Sequence, residues 1–235
     1  MIVSAHQPVY LPGIILFNKL ALSDACMLLS HCQFVVRSWH QRNRIRDRDA
    51  PMWLSVPVNA GYKQPIAEVQ VAGQKWRRKH VGSLRQAYGR RPFFDTYFPE
   101  LVRLLSIDYP SLADLDIALI RCLCQWLEID TPLHDSRDFG LSLHKTELLI
   151  ESARALGADH FLSNIGSSVY VEEAVMAEQR VQHHWQRFEH PVYEQGLPFV
   201  QDLSVVDLLF NIGPRSAQVV RTCGHIDPQL PGEPK

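Results

Sequence analysis

The sequence predicts an α/β (α+β) fold, a single domain with a mixed β-sheet and a helical middle portion. Three observations support this prediction. The chain opens with a strand, a proline-bounded loop and a helix; further strands follow up to residue 71; and three segments between residues 76 and 127 carry apolar residues at helical spacing. Strands and helices then follow one another without strict alternation, which favours a mixed sheet over a doubly wound one.

The first 71 residues contain four predicted strands and one helix. Met1-Ile2-Val3 starts the first strand, Pro8 and Pro12 shape the loop after it, and a helix runs from Ile14 to Leu22. Because a proline within a strand marks an edge or an end, Pro57 limits the third strand. The second, third and fourth predicted strands cover residues 26–36, 53–58 and 66–71.

The rest of the chain is mainly helical. Ser111 and Asp114 form an N-terminal capping signature, and Gly157 marks a helix end. The predicted helices are 76–88, 93–105, 111–127, 142–156 and 203–210, and the predicted strands are 160–163 and 181–193. One domain is predicted over residues 1–225. Residues 226–235 are predicted to be a disordered tail, because they hold three prolines and little apolar content.

Composition excludes several classes of function. The net charge of −1 gives no overall basic field, so nucleic acid is not expected as a partner. The apolar runs are too short to cross a bilayer, so no membrane span is expected. Five cysteines without framework spacing indicate free thiols and a cytoplasmic location. The chain carries no metal motif and no dinucleotide fingerprint, so neither a metal site nor a cofactor is predicted.

The first candidate for chemistry is His6, at the end of the first predicted strand. Ligands bind at strand ends in open α/β sheets, and histidine is readily tuned for proton transfer near neutral pH. His6 is therefore a candidate general base. Gln7 and Lys19 are predicted to bind substrate, and Lys19 can also orient His6 or stabilise charge. The alternative is that His6 only caps the strand or packs.

Residues 33–46 interleave basic, aromatic and amide side chains. Arginine forks bind phosphate or carboxylate, and a tryptophan offers a face for stacking. A solvated loop with scattered charges is the alternative. The predicted substrate-binding residues here are Gln33, Trp39, Arg42, Asn43 and Arg44.

Three further residues carry open alternatives. Cys32 lies just ahead of the arginine-rich stretch, where a cationic setting favours a nucleophilic thiolate, but a small buried residue is the simpler interpretation. Asp207 can hold His6 or can cap its own helix, since Asp is common at helix starts. Tyr10 can line the same site, or it can belong to the core.

The chain resembles the WbqC-like family across its whole length. The resemblance rests on the heptad His6-Gln7-Pro8-Val9-Tyr10-Leu11-Pro12 and on Ser204-x-x-Asp207-Leu-Leu-Phe-Asn211-x-Gly213 near the C-terminus. Segments between them agree in the same register, namely Gln33-Phe34, Arg42-Asn43-Arg44-Ile45, Trp53–Val58, Phe161-Leu162-Ser163 and His190–Tyr193.

The resemblance implies an acyl or aminoacyl transferase in surface-polysaccharide or natural-product biosynthesis. The implied donor is an acyl carrier protein or CoA-type thioester, and the implied acceptor is an amino sugar or another small amine. The sequence departs from the family where acidic residues usually precede Gln33-Phe34, because Ser30 and His31 stand there. A thioester or amide hydrolase, or a non-catalytic protein that binds a carrier protein or sugar nucleotide, therefore remains an alternative.

Overall fold

The computed structural model describes residues 1–196 and 198–228. The strands are β1 (Ile2–His6), β2 (Ala25–Leu28), β3 (Arg42–Asp47), β4 (Ala50–Ser55), β5 (Val58–Asn59), β6 (Gln70–Val71), β7 (Leu133–Asp135), β8 (His160–Asn164), β9 (Gln182–Phe188) and β10 (Gly224–Asp227). The α-helices are α1 (Ile14–Ala21), α2 (Lys75–Tyr88), α3 (Phe94–Leu105), α4 (Leu112–Trp126), α5 (Lys145–Ala155), α6 (Glu173–Glu178), α7 (Val205–Ile212) and α8 (Arg215–Thr222).

A six-stranded sheet in the order β10-β9-β8-β1-β2-β7 forms the centre of the fold. Its neighbouring strands run parallel, except that β10 pairs antiparallel with β9. In the register of the central pair, Val3 lies beside Ala25 and His6 lies beside Leu28. The mixed sheet predicted from the sequence is confirmed. The pairs β3–β4 and β5–β6 form two separate ribbons.

Helices cover both faces of this sheet. Leu28 of β2 packs in the largest core cluster together with Phe17 of α1. On the opposite face, Ala25 packs with Leu149 of α5 and Phe161 of β8. Helix α8 packs on α1, and α6 packs on β9. Because β2 is covered on both faces, its four residues are all buried, and its sequence is continuously apolar.

The predicted helical middle portion is confirmed as α2, α3 and α4. Side chains of these helices, such as Tyr97 and Leu119, join the same core cluster as α1, so the chain forms a single domain. The predicted cap is present, because Ser111 Oγ accepts the N–H of Asp114 at 3.2 Å. Gly157 has a φ of +68°, the left-handed conformation that terminates α5.

Three segments differ from the predicted elements. The second strand ends at Leu28 rather than at residue 36, since the next residues turn and the N–H of Phe34 donates to the carbonyl of Gln64. The fourth predicted strand begins with a 3-10 helix, Ile66–Glu68, and only β6 is extended. The basic stretch interpreted as a loop contains β3, whose six residues all pair with β4.

The C-terminal boundary also differs from the prediction. Ile226 and Asp227 belong to β10, where Asp227 pairs with Trp185 of β9. The predicted disordered tail therefore does not begin at residue 226, and its last seven residues, 229–235, lie outside the described residues. None of the helices in the described part of the chain has the length and apolar character that crossing a membrane requires.

The strand order creates a crevice at one edge of the sheet. Helix α1 leads from β1 to β2 on one side, whereas β8 lies on the other side of β1 and leads on to β9. Ligands of open α/β sheets bind where the strand order reverses in this way, outside the carboxyl ends of the strands. His6 and Asn164 end β1 and β8, so they stand at this crevice.

Candidate functional site

Two adjoining cavities occupy the crevice. The first, the arginine cavity, has a volume of about 360 Å³ and is lined by Asn43 and Arg44 among others. The second, the lysine cavity, has a volume of about 410 Å³ and is lined by Lys19 among others. Four residues line both cavities and so form the wall between them: His6, Val9, Trp39 and Asn164.

His6 is half-buried in this wall. Its Nδ1 lies 2.6 Å from the carbonyl oxygen of Gln7. Because a carbonyl only accepts hydrogen bonds, this contact assigns the ring proton to Nδ1 and leaves Nε2 as the acceptor. Burial and the nearby charge of Lys19 lower the pKa of His6 to about 3. The imidazole is therefore neutral at neutral pH, as a proton acceptor must be.

Lys19 provides the positive charge of the lysine cavity. It is a buried residue of α1, and its Nζ donates to the carbonyl of Ala5 at 2.8 Å. Burial lowers the pKa of Lys19 to about 8, so most molecules carry the charge at neutral pH. The described residues that line this cavity include no carboxylate. Lys19 is therefore the one side chain with a formal charge at neutral pH among the described residues that line this cavity.

Gln7 and His40 form a polar part of the same cavity. Nε2 of His40 donates to Gln7 Oε1 at 2.7 Å, while Nδ1 of His40 accepts the N–H of Val35 at 3.3 Å. Burial lowers the pKa of His40 to about 4, so this ring too is neutral at neutral pH. Gln7 lines the lysine cavity, and its role in substrate binding stays a prediction. Sequence reasoning did not single out His40.

Two arginines and two tryptophans form an exposed platform at the mouth of the arginine cavity. Arg44 pairs with Trp53 across the β3–β4 ribbon. The Cζ atom of Arg42 lies 4.3 Å from the centre of the Trp53 ring, and that of Arg44 lies 5.6 Å from Trp39. Stacking on rings holds each guanidinium in place while its N–H groups stay free to bind an anion. Arg44 and Trp39 line the cavity itself, whereas Arg42, also predicted to bind substrate, is not among the residues that line either cavity.

Asp202 occupies part of the arginine cavity beside Arg44. Its Oδ2 lies 3.6 Å from Nη2 of Arg44. Asp202 belongs to the segment between β9 and α7, and its N–H donates to Nε2 of His190 at 3.1 Å. The carboxylate side chain is 68% exposed, so the pair is weak. An anionic ligand would compete with Asp202 for Arg44.

Asn43 lines the arginine cavity but uses its amide on the loop after β1. Its Nδ2 donates to the carbonyls of Tyr10 and Leu11, and its Oδ1 accepts the N–H of Arg44 at 2.7 Å. Leu11 has a φ of +41°, an unusual conformation for a leucine. Asn43 therefore fixes this loop and the start of Arg44 relative to each other.

Tyr10 and Gln33 lie outside both cavities, contrary to their predicted substrate-binding role. Tyr10 is completely buried, and its hydroxyl lies 2.8 Å from Nδ1 of His80 on α2. Gln33 is exposed and forms an isolated bridge with Pro65. The structure thus assigns Tyr10 to the core and Gln33 to the surface.

Cys32 also lies outside the residues that line the cavities. Burial raises the pKa of its thiol, so the cationic setting expected from the neighbouring arginines does not produce a thiolate. The Sγ atom of Cys32 lies 4.0 Å from Nε2 of His31, a long contact that does not supply a cation to stabilise a thiolate. The side chain packs against the core, as the simpler interpretation of this cysteine had it.

A carboxylate does stand near positions 30 and 31, but it comes from another strand. Ser30 Oγ donates to Oδ1 of Asp135 at the end of β7. Arg137 binds Asp135 at 2.7 Å, and its guanidinium holds the pKa of this carboxyl below its usual range against the opposing effect of burial. His31 Nδ1 contacts Ser136 Oγ at 2.7 Å. Ser30 and His31 thus anchor β7 to the turn after β2.

Asp207 neither holds His6 nor caps its helix. Its Oδ2 accepts the hydroxyl of Tyr193 and Nε2 of Gln195, both at 2.7 Å. The cap of α7 is Ser204, whose Oγ accepts the N–H of Val206. Asp207 is completely buried, and burial raises its pKa. It therefore fixes the segment that leads to Asp202, and the predicted catalytic role is not supported by contacts.

Three polar residues of the arginine cavity were not predicted to belong to the site. Asn164, His190 and Asp202 line the arginine cavity. Asn164, like His6, is a polar residue at the end of a short apolar strand, and the sequence pattern that identified His6 could have identified it. His190 and Asp202 come from the irregular segment after β9, which reaches the cavity only because β9 lies two strands from β1.

Comparison with known proteins agrees with the resemblance seen in the sequence. The model of the WbqC-like protein family matches residues 7–219. A relative from Mycobacterium tuberculosis, named Uncharacterized protein Rv1507c, is 28% identical over 228 residues, which cover 94% of this chain and 98% of the relative. No solved structure matches the chain. The family match contains the site from Gln7 to Leu203, and the chain belongs to the WbqC-like protein family.

Proposed function

We propose that this protein is an acyl or aminoacyl transferase, which moves an acyl group from a thioester-type donor to an amine or hydroxyl. The observation that carries the proposal is the position of His6 in the wall shared by two cavities. Two adjoining compartments with a proton acceptor where they meet suit a reaction that holds two substrates side by side. Nε2 of His6 is such an acceptor, because Nδ1 carries the ring proton.

The arginine cavity suits the donor. A CoA-type thioester or an acyl carrier protein presents a phosphate on its pantetheine arm, and Arg44 can bind that phosphate through its guanidinium. Apolar residues of the same cavity, such as Ile15 and Leu16, suit the arm itself. The carbonyl to be transferred then lies near His6.

The lysine cavity suits the acceptor, such as an amino sugar. The amine nitrogen attacks the carbonyl carbon, the N–C bond forms and the C–S bond breaks. Nε2 of His6 takes the proton from nitrogen and passes it to the departing thiolate. Lys19, charged and fixed to the Ala5 carbonyl, stabilises the negative oxygen that develops.

The low pKa of His6 sets a condition on this mechanism. A base with a pKa of about 3 is weak. The negative oxygen that develops beside Lys19 counters the lysine charge, which raises the pKa of His6, and the nitrogen becomes acidic once it has attacked. The base is thus needed only after donor and acceptor are both bound.

The low pKa of His6 also favours a second candidate, a non-catalytic protein that binds a carrier protein or sugar nucleotide. A hydrolase with Cys32 as its nucleophile has less support, because burial raises the pKa of that thiol and Cys32 lines neither cavity. A role in surface-polysaccharide or natural-product biosynthesis and a cytoplasmic location belong to the proposal.

Mass spectrometry of the products tests the proposal. Acetyl-CoA and glycyl-CoA are the donors, glucosamine is the acceptor, and wild type is compared with His6→Ala. We expect His6→Ala to lower turnover by about 10²- to 10⁴-fold. His225→Gln, at an exposed position outside both cavities, is the matched control and keeps its rate. Full turnover by His6→Ala would refute the mechanism, and an inactive wild type that still binds a carrier would favour the binding protein.

A further inference from the structure

A serine, a histidine and a glutamate come together on one face of the sheet beside the lysine cavity. Ser163 Oγ in β8 lies 2.8 Å from Nε2 of His183 in β9. On the other side of the same ring, Nδ1 of His183 lies 3.9 Å from Oε1 of Glu173 in α6. The order hydroxyl, imidazole, carboxylate is that of an activated nucleophile with its base and the group that orients the base.

The register of the sheet brings these residues together. Phe161 pairs with His183 and Ser163 pairs with Trp185 in the parallel ladder, so the side chains of Ser163 and His183 are diagonal neighbours on one face. Helix α6 packs on β9 and adds Glu173 from above. Trp185 Nε1 donates to Glu173 Oε1 at 2.6 Å and so holds the carboxylate beside the ring.

The polar atoms of this group are not fully satisfied within the protein. His183 is 6% exposed, yet its buried Nδ1 has no hydrogen-bond partner among the described residues. A buried histidine normally satisfies both ring nitrogens. A small movement of Glu173 closes the gap to Nδ1, and such contacts are often long before substrate binds.

Ser163 has access to the proposed acyl group. It lines the lysine cavity together with His6, Lys19 and Asn164. By contrast, the hydroxyl of Ser167, which lines the same cavity, donates to the carbonyl of Asn164 and has no imidazole partner. The contact with His183 therefore distinguishes Ser163 from its neighbour.

We propose that Ser163 is an acyl-accepting nucleophile, with His183 as its general base and Glu173 as the positioning residue for His183. This inference rests on the proposed transferase function, and it replaces the direct attack of the acceptor on the thioester with two steps through a covalent intermediate. Ser163 Oγ attacks the carbonyl carbon of the thioester, its proton passes to Nε2 of His183, and the C–S bond breaks as that proton goes to the departing sulfur.

The second half of the reaction returns the enzyme to its starting state. The acceptor amine attacks the acyl ester on Ser163, the N–C bond forms and the ester C–O bond breaks. The ring that takes the proton lost by nitrogen, His6 or His183, delivers the same proton to Ser163 Oγ. The substrate class is an activated acyl ester or thioester, and the two substrates bind in succession.

Acylation by p-nitrophenyl acetate, a small activated ester, tests the inference without knowledge of the natural donor. Intact-mass and peptide mass spectrometry are expected to find one acetyl group per chain, on Ser163, formed in a burst of nitrophenolate. Ser163→Ala abolishes the adduct and the burst, and His183→Asn slows acylation by about 100-fold or more. Ser142→Ala, at an exposed position outside both cavities, still acquires the acetyl group on Ser163. Thermal melting of each variant establishes that it is folded.

Glu173→Gln distinguishes positioning from packing. Glutamine keeps the acceptor oxygen for Trp185 but removes the charge beside His183, so the acidic limb of the acylation rate should move to lower pH. A purely structural role of Glu173 would leave that limb unchanged.

The outcomes separate this inference from the proposed function. If the acetyl group is absent or lies on another residue, or if Ser163→Ala keeps the wild-type acylation rate, the covalent inference is overturned, whether or not transfer to glucosamine occurs. If Ser163 is acetylated and no acceptor takes the acyl group, the nucleophile stands and the transferase proposal fails.

Discussion

The contact between Arg44 and Asp202 predicts that removing a carboxylate strengthens anion binding. In the arginine cavity, Asp202 Oδ2 lies 3.6 Å from Arg44 Nη2. A ligand anion must displace this carboxylate before it can bind the guanidinium fully. Asp202→Asn removes the competing charge, and asparagine tolerates the φ of +55° found at this position, so the substitution adds no backbone strain.

The magnitude follows from the exposure of the pair. Because the Asp202 side chain is 68% exposed, solvent screens the interaction to about 0.2–1 kcal/mol. Releasing that energy tightens binding by about 1.4- to 5-fold. Isothermal titration calorimetry with pyrophosphate at constant ionic strength measures the change. Asp130→Asn changes the net charge equally at an exposed site outside both cavities and serves as the control.

The double variant completes this test. In an Arg44→Gln background, pyrophosphate binds weakly, and Asp202→Asn should add no more than the control does. Unchanged or weaker binding by Asp202→Asn alone would refute the view that Asp202 occupies an anion site. Equal gains with and without Arg44 would mean that Asp202 acts only through general charge.

Three further predictions concern stability and reactivity. Asp207→Ala leaves the hydroxyl of Tyr193 and an amide N–H of Gln195 without their acceptor. Urea denaturation should therefore show a loss of about 2–5 kcal/mol in the free energy of unfolding. A loss below about 1 kcal/mol would contradict the structural role of Asp207. Burial lowers the pKa values of His6, His40 and His80 to about 3, 4 and 4, whereas unfolded histidines bind protons near pH 6.5. Unfolding therefore takes up protons, and the free energy of unfolding should fall as the pH drops from 6.5 to 4. Chemical denaturation at each pH measures this, and a flat profile would count against the lowered pKa values. Iodoacetamide should alkylate Cys32 more slowly than it alkylates free cysteine at pH 7.5, because burial raises the pKa of the thiol; equal or faster labelling by mass spectrometry would show a thiolate there.

The elements that sequence predicted well are those set by local chemistry. Helix α4 begins at the cap of Ser111, and Gly157 follows the end of α5, because a hydroxyl acceptor and a left-handed glycine act within one turn. Residues 29–41 could not be predicted in the same way. Their turns depend on contacts with distant segments, such as the bond between the N–H of Phe34 and the carbonyl of Gln64.

The same distinction holds for the site. Four cavity residues could be predicted because their residue type and their place in the sequence already suggest their chemistry. They are His6, Lys19, Trp39 and Arg44. Asn164 reaches the site through the pairing of β8 with β1, which the strand sequences do not specify. Asp207 was misassigned because its partners, Tyr193 and Gln195, lie in an irregular segment with no pattern to indicate contact.

The charge of the lysine cavity bears on the acceptor. Asp135 contacts Ser30 in the turn after β2, and Arg137 binds the carboxylate of Asp135. An amine that enters the cavity thus meets Lys19 with no lining carboxylate to offset it. Like charge lowers the pKa of the amine and favours its neutral form, which is the form that attacks a carbonyl. Substitution of Lys19 by methionine should therefore raise the pH at which an amine acceptor reaches half of its maximal rate, while a hydroxyl acceptor shows no such shift.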